Sequence, residues 1–418
     1  MRQKALGERA LVTALSLAAI GVSAATAADS GPRTERVSLY PSGEAREYAH
    51  DPSISRHGGV VAYQAPAKEQ PPPPPDPDPY NPSGKWEVLA YNRDSGKTES
   101  ISMGPEENGS SYAPSISRDG RFVAFESTSS NLMPGDEDGT SPDVFVRDRR
   151  TGGIEEIPAA LEPSISATGR YVAFTSSGEI HVHDRQTGKT ELVGTGLLPS
   201  ISPEGRYVAF QTDDWEGGRS SVIVRDRAKG VSETVSVSTK GYPANHFSGY
   251  ASISAGGRFV AFESMGSNLV AGDKSHTDDV FVRDRKNGTT RCVSVDAQGR
   301  PGNFDSLVPS ISASGRYVAF VSYASNLIPH DANGFVDVFV RDRKTDRTRR
   351  VSISTARAPG NNGSGVVAKA RGRDNFESAI SGDGHFVAFP SYATNLAPPD
   401  PPDTPEPVGV FVRGPLSP

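Results

Sequence analysis

The sequence predicts an all-β fold: a single seven-bladed β-propeller of four-stranded antiparallel blades, the last blade closed by the N-terminal strand. Three observations carry this. A segment of the form Pro-Ser-Ile-Ser-x-x-Gly-Arg-Phe-Val-Ala-Phe, seen at 114–125, returns seven times, with starting serines at Ser53, Ser115, Ser164, Ser200, Ser252, Ser310 and Ser378. Each copy is followed by further short strand-like runs, giving the period and strand number of a propeller blade. The seventh copy ends at Val410-Phe411-Val412-Arg413-Gly414 without a fourth strand, while Thr34-Glu35-Arg36-Val37-Ser38-Leu39 matches the fourth-strand segment Thr348-Arg349-Arg350-Val351-Ser352-Ile353. Residues 36–41 are therefore expected to complete the last blade, hiding sheet edges that would otherwise invite aggregation.

Within one copy, Ser-Ile-Ser supplies a short first strand. A turn follows, with glycine at Gly58, Gly120, Gly169, Gly205, Gly257, Gly315 and Gly384, as suits a hairpin position of positive φ. Arg-Phe-Val-Ala-Phe and its relatives place four apolar residues in a row, the pattern of a strand buried on both faces. The third strand reads Asp-Val-Phe-Val-Arg-Asp at 143–148, 279–284 and 337–342, with weaker copies at 179–184 and 221–226. A turn such as Asn287-Gly288-Thr289 leads to the fourth strand, Arg291-Cys292-Val293-Ser294-Val295 in one copy. Successive copies begin 62, 49, 36, 52, 58 and 68 residues apart. The strands barely differ in length, so loops absorb the variation.

Residues 1–27 read as a secretory signal peptide, with Arg2, Lys4 and Arg9, an apolar Ala10–Val22 run and the cleavage site Ala25-Thr26-Ala27. Residues 28–35 form a polar lead and 36–418 the propeller. The expected destination is extracellular, periplasmic or cell-wall associated. No other stretch is long and apolar enough to span a bilayer. The net charge of −6 opposes nucleic-acid binding. The one cysteine, Cys292, excludes internal disulfides. It holds the strand position of Arg350 and Arg36 in sister copies, which implies a partly exposed site. Pro66–Pro82, with five consecutive prolines at 71–75, reads as a polyproline II arm, and Pro398–Pro407 as a second proline-rich loop.

The loop between second and third strands carries the best candidate chemistry. Blade two has Asp136, Asp138 and Asp143, blade five Asp273 and Asp279, and blade six Asp331, Asn333 and Asp337. An Asp-x-Asp/Asn-Gly turn followed by another Asp groups hard oxygen ligands, making these candidate calcium ligands. The alternative is an Asx turn in which the carboxylates cap backbone N–H groups. His181 and His183 share one strand face, a two-ligand metal candidate without a nameable third. The recurring Arg-Asp-Arg at 147–149, 225–227, 283–285 and 341–343 reads as structural, the Asp bonding the next turn and the arginines the neighbouring blades. No nucleophile elbow, phosphate-cradling glycine loop or paired-cysteine zinc motif occurs, so no catalytic residue is assigned.

Together, Pro-Ser-Ile-Ser-x-x-Gly-Arg-Tyr/Phe-Val-Ala-Phe, Ser-Asn-Leu-(x)3-Asp, Asp-Val-Phe-Val-Arg-Asp and Arg-x-Val-Ser-Val resemble the TolB-like (WD-repeat-like) β-propeller family in its secreted bacterial form. They cover nearly all of 36–413. The resemblance implies a rigid disc that binds proteins or small ligands, with some relatives joined to peptidase domains or acting as lyases. Seven copies depart from the six blades of the family's periplasmic translocation protein. The expected function is a secreted, monomeric, non-enzymatic propeller that binds a protein or a cell-envelope or glycan ligand through rim loops. The alternative is a carbohydrate-active lyase or hydrolase with its site at the propeller axis.

Overall fold

The computed structural model describes residues 31–40, 42–67, 85–102, 108–134, 142–212, 219–273, 277–370, 373–397 and 408–416. The signal-peptide reading, most of the proline-rich arm and the second proline-rich loop lie outside the described residues. Pro32–Pro418 form one compact unit. Six blades are four-stranded antiparallel meanders in chain order, spanning 50–100, 111–157, 161–195, 197–234, 248–292 and 306–350. Blade seven combines Ala379–Ile380, Val387–Ser391 and Gly409–Gly414 with the N-terminal strand Arg33–Arg36 on its outer edge. First strands neighbour one another in ring order, so they line the axis and the fourth strands lie outermost.

Ring closure therefore follows the alignment of the two segments, with a corrected boundary. The closing strand is Arg33–Arg36, paired with Phe411–Gly414, and not 36–41. The fourth strands of blades five and six shift in the same way, to Thr289–Cys292 and Arg347–Arg350. The Val-Ser-Val tail leaves the ladder because it turns into the connector, where Val295 bridges Pro301 and Ile353 bridges Pro359. In blade seven the register puts Ala379 opposite Ala388, as Ser310 lies opposite Ala319, so the seventh copy starts at Ala379 and not Ser378. The connector before it folds into a hairpin, Val366–Ala370 with Arg373–Phe376.

The turn glycines all have positive φ, but conformation is half of their purpose. At Gly169 a Cβ would overlap the Phe122 ring of the preceding blade. Phe122, Tyr171, Tyr207, Phe259, Tyr317 and Phe386, at the start of the second strands of blades two to seven, sit against the next blade's turn glycine; all but Tyr317 are half-buried, while the Val-Ala-Phe after them is buried. The Tyr171 ring is also held between two guanidiniums, Arg170 from its own blade at 4.8 Å and Arg227 from the next at 4.6 Å.

The Arg-Asp-Arg recurrence builds these seams. Asp184 accepts a bidentate pair from Arg170 (2.8 and 2.7 Å) and bonds the following turn at Gln186. The same clamp is Arg121–Asp148, Arg206–Asp226, Arg258–Asp284 and Arg316–Asp342. The second arginine crosses to a glutamate on the preceding blade's fourth strand. These latches are Arg93–Glu35, Arg149–Glu99, Arg185–Glu155, Arg227–Glu191 and Arg285–Glu233. Arg93–Glu35 joins blade one to the N-terminal strand and so latches the closed ring.

Candidate binding face

Antiparallel alternation puts the second-to-third-strand loops and the blade-to-blade connectors on one face, and the glycine turns on the other. Five of the seven exposed large apolar side chains among the described residues fall in the first set: Tyr48, Tyr242, Phe304, Tyr323 and Phe335. Three of them belong to the blade-six end. The Tyr323 N–H donates to the Asp305 carbonyl at 3.0 Å, fastening that loop to the connector that carries Phe304. The connectors are braced by an asparagine exchange. Asn303 N–H donates to Asn326 Oδ1 and Asn326 Nδ2 donates to the Pro301 carbonyl, with the same pattern at Asn245/Asn268 and Asn361/Asn395. The Gly-x-Pro-x-Asn connectors at 241–245 and 299–303 and the Ser-Asn-Leu loops are thus two halves of one scaffold that presents the aromatics on a stiff surface.

The aspartate candidates lie on this face, and the structure gives each described one a place. Asp136 and Asp138 lie outside the described residues. Asp143 is buried and accepts the Ala159 N–H at 2.7 Å. In blade six Asp331, Asn333 and Asp337 do converge. Arg350 Nη1 lies 3.0 Å from Asp331 Oδ1 and 2.6 Å from Asp337 Oδ2, while Asn333 Nδ2 donates to Asp337 and Ser352 Oγ to its other oxygen. The cation these oxygens hold is the chain's own guanidinium. Burial is the first cause that raises Asp331, with Arg350 offsetting part of it. In blade five Cys292 takes the place of Arg350. Asp273 and Asp279 are buried there, Ser294 donates to Asp279, and burial pushes the half-buried thiol well up, helped by Asp279.

His181 stacks on Phe174 at 5.5 Å, and His183 Nδ1 meets Thr190 Oγ1 at 2.9 Å. Among the described residues no group of three His, Cys, Asp or Glu side chains is disposed to hold a metal ion. No helix among them is long and apolar enough to cross a membrane.

The axis holds a feature that sequence reasoning missed. The first strands of blades one to six each carry a bulge whose residue adopts a left-handed φ: Asp51, Ala113, Glu162, Leu198, Tyr250 and Val308. The N–H of each donates to an acid or amide side chain of the preceding blade, respectively Glu377, Gln64, Glu126, Glu162, Gln211 and Glu263. The signal was the Glu or Gln after the Val-Ala-Phe of four copies. This brings carboxylates close together in a low-dielectric interior. Burial, then Glu377 and Glu126, push Asp51 well up. Burial raises Glu263 to about 8 and Asp278 to about 6. His50, itself buried, lies 3.6 Å from Glu377.

Comparison with solved structures agrees with this architecture. The β-propeller domain of the Trilobed protease from Pyrococcus furiosus, which has an open velcro topology, is 13% identical, with 83% of this chain and 91% of that chain covered and a TM-score of 0.51. The fold is a β-propeller. An acylaminoacyl peptidase in complex with Z-Gly-Gly-Phe-chloromethyl ketone is 12% identical, covering 88% of this chain and 51% of that one, TM-score 0.52. TolB from Acinetobacter baumannii is 18% identical over 70% of this chain and spans 63% of that chain's length, TM-score 0.43. No family model and no curated protein matches the sequence.

Proposed function

We propose that this propeller is an exported, non-enzymatic binding module whose loop-and-connector face docks a protein or cell-envelope glycan. The observation that carries the reading is the gathering of Tyr48, Tyr242, Phe304, Tyr323 and Phe335, all exposed, on the face that the asparagine exchange stiffens. Exposed aromatics on a rigid surface suit recognition, since each buries a large area at small entropic cost. The clamp and latch side chains are engaged with one another, so protein or glycan recognition is assigned to the exposed loop aromatics.

The test is a triple variant, Phe304→Ala, Tyr323→Ala and Phe335→Ala, screened beside the parent on glycan arrays and purified envelope fractions. The parent binds, and the variant loses about tenfold or more in affinity at an unchanged melting temperature. Equal binding by the two overturns the reading.

A second reading, a lyase or hydrolase site at the axis, has one observation in its favour: the grouping of Asp51, Glu126 and Glu377 with Asp51 raised. Turnover of an acidic oligosaccharide that is abolished in Asp51→Asn would support it. The calcium reading stays a proposal for blade five, at Asp273 and Asp279, where Cys292 takes the strand position of Arg350.

A further inference from the structure

Two of the seven seams break the latch pattern, and both lie beside blade six. The fourth-strand position that is Glu35, Glu99, Glu155, Glu191 or Glu233 elsewhere is Arg291 in blade five and Arg349 in blade six, by ladder register. At the seam between blades six and seven the crossing arginine is absent as well. Arg341-Asp342-Arg343 becomes Arg413-Gly414-Pro415. A cavity of about 400 Å³ opens beside the fourth strand of blade six, lined by Arg347, Arg349, Arg350 and Arg357 against an apolar wall that includes Ala297, Leu327, Ile328 and Ile353. Arg350 is committed to Asp331 and Asp337. Arg347 and Arg357 are exposed, and burial, then Tyr317 and Arg347, perturb Arg349, with a net lowering.

A second, independent observation concerns Arg357. It occupies a connector turn whose N–H bonds the carbonyl three residues back. The sister turns place Gly43, Gly241 and Gly299 there, bonded in the same way. Those glycines have φ of 87°, 85° and 78°, and Arg357 holds φ 67°. A residue with a Cβ pays for that conformation. The chain keeps arginine where glycine is the relaxed choice, and that residue lines the cavity.

We propose that this cleft binds an acidic peptide segment that also bears apolar side chains. Guanidinium forks match carboxylates, while an inorganic anion would leave the apolar wall unused. A nucleic acid needs a basic track along its backbone, and here Arg347, Arg349 and Arg357 surround a single cavity. The cleft borders the aromatic face through Leu327, Ile328 and Arg357, but none of the exposed aromatics lines it, so Phe304→Ala and the arginine variants separate the two readings.

The full mature chain is titrated into a fluorescein-labelled peptide of alternating glutamate and leucine, followed by fluorescence anisotropy. The variants are Arg357→Gly and Arg349→Glu, each installing the residue that sister blades use. Both lose affinity by about tenfold or more, and wild-type binding weakens with salt. Arg357→Gly melts at or above the wild-type temperature, so lost binding is not lost folding. The proposal is overturned if wild type does not bind the peptide, or if both variants bind as wild type does. Equal binding of a lysine–leucine control, tighter binding of a single-stranded oligonucleotide, or full displacement by inorganic phosphate also overturns it. Phe304→Ala leaves peptide binding unchanged.

Discussion

Replacing Arg350 with alanine tests whether the blade-six carboxylates are built around a guanidinium. The side chains of Arg350, Asp331 and Asp337 are 8%, 5% and 1% exposed, so the ion pairs are largely screened from water. Removing one partner of a buried pair leaves uncompensated charge and costs about 3–5 kcal/mol. A propeller of about 390 residues has an unfolding entropy of roughly 0.8 kcal/mol/K, so the melting temperature falls by about 4–6 °C. The pH dependence has a definite sign. Asp331 already has a folded pKa above its ordinary value, and the variant loses the one neighbour that lowers it. A carboxyl raised in the folded state binds more protons there than in the unfolded chain, so stability falls as pH rises through the window between the two values. The deficit of Arg350→Ala therefore shrinks on going from pH 7 towards pH 5. Asp331 and Asp337 then form a carboxylate pair with no resident cation, and millimolar calcium recovers part of the melt in the variant. Differential scanning calorimetry with calcium and with chelator reads all three effects. A variant that melts within about 1 °C of wild type refutes the reasoning, as does a calcium-dependent rise in wild type that Asp331→Ala removes.

Three further outcomes follow from the same geometry. Gly169→Ala must both hold a left-handed φ and displace the Phe122 ring, whereas Gly152→Ala meets nothing within 4 Å; the first should cost at least about 1 kcal/mol more in urea unfolding, and equal costs would remove the seam-packing role given to the turn glycines. Glu263, raised to about 8 by burial, makes the fold less stable as pH climbs from 5 to 8; Glu263→Gln keeps an acceptor for the Val308 N–H and should flatten that slope, and an unchanged slope assigns it elsewhere. Deleting residues 31–38 removes the closing strand together with Glu35, the partner of Arg93, and should lower the melting temperature and promote association through the exposed edge of Gly409–Gly414, both visible in light-scattering melts.

The blade was legible because its strands are written in short-range terms: an apolar run, a glycine of positive φ, an Asp-Val-Phe-Val-Arg-Asp strand. Closure by the N terminus was legible because Thr34-Glu35-Arg36 repeats Thr348-Arg349-Arg350. The boundaries slipped where the same residues serve two ends, as Val351-Ser352-Ile353 leaves the ladder to build a connector. What lay hidden depends on pairs far apart in the chain. Gly169 is shaped by Phe122, the Leu198 N–H by Glu162, and the fate of Asp337 by Arg350. The aspartate spacing in blade six suggests a calcium site or an Asx turn, and the partner that Asp331 and Asp337 share, Arg350, is beyond what spacing shows.

The seams carry the argument one step further. A ring of equivalent blades is stabilised when each seam repeats the same latch, and five do. At seam five/six Arg343 keeps its bond to the Gly315 carbonyl and its place over Phe259 at 4.4 Å. It faces Arg291 where a glutamate stands elsewhere, and burial with nearby guanidiniums pushes it down. At seam six/seven the latch is missing on both sides, and strain at Arg357 is kept where glycine would relieve it. Loss of one latch is drift that a repeat tolerates. Two adjacent charge reversals, a cavity lined by one of them and a left-handed arginine in its wall find one explanation in a ligand that carries negative charge.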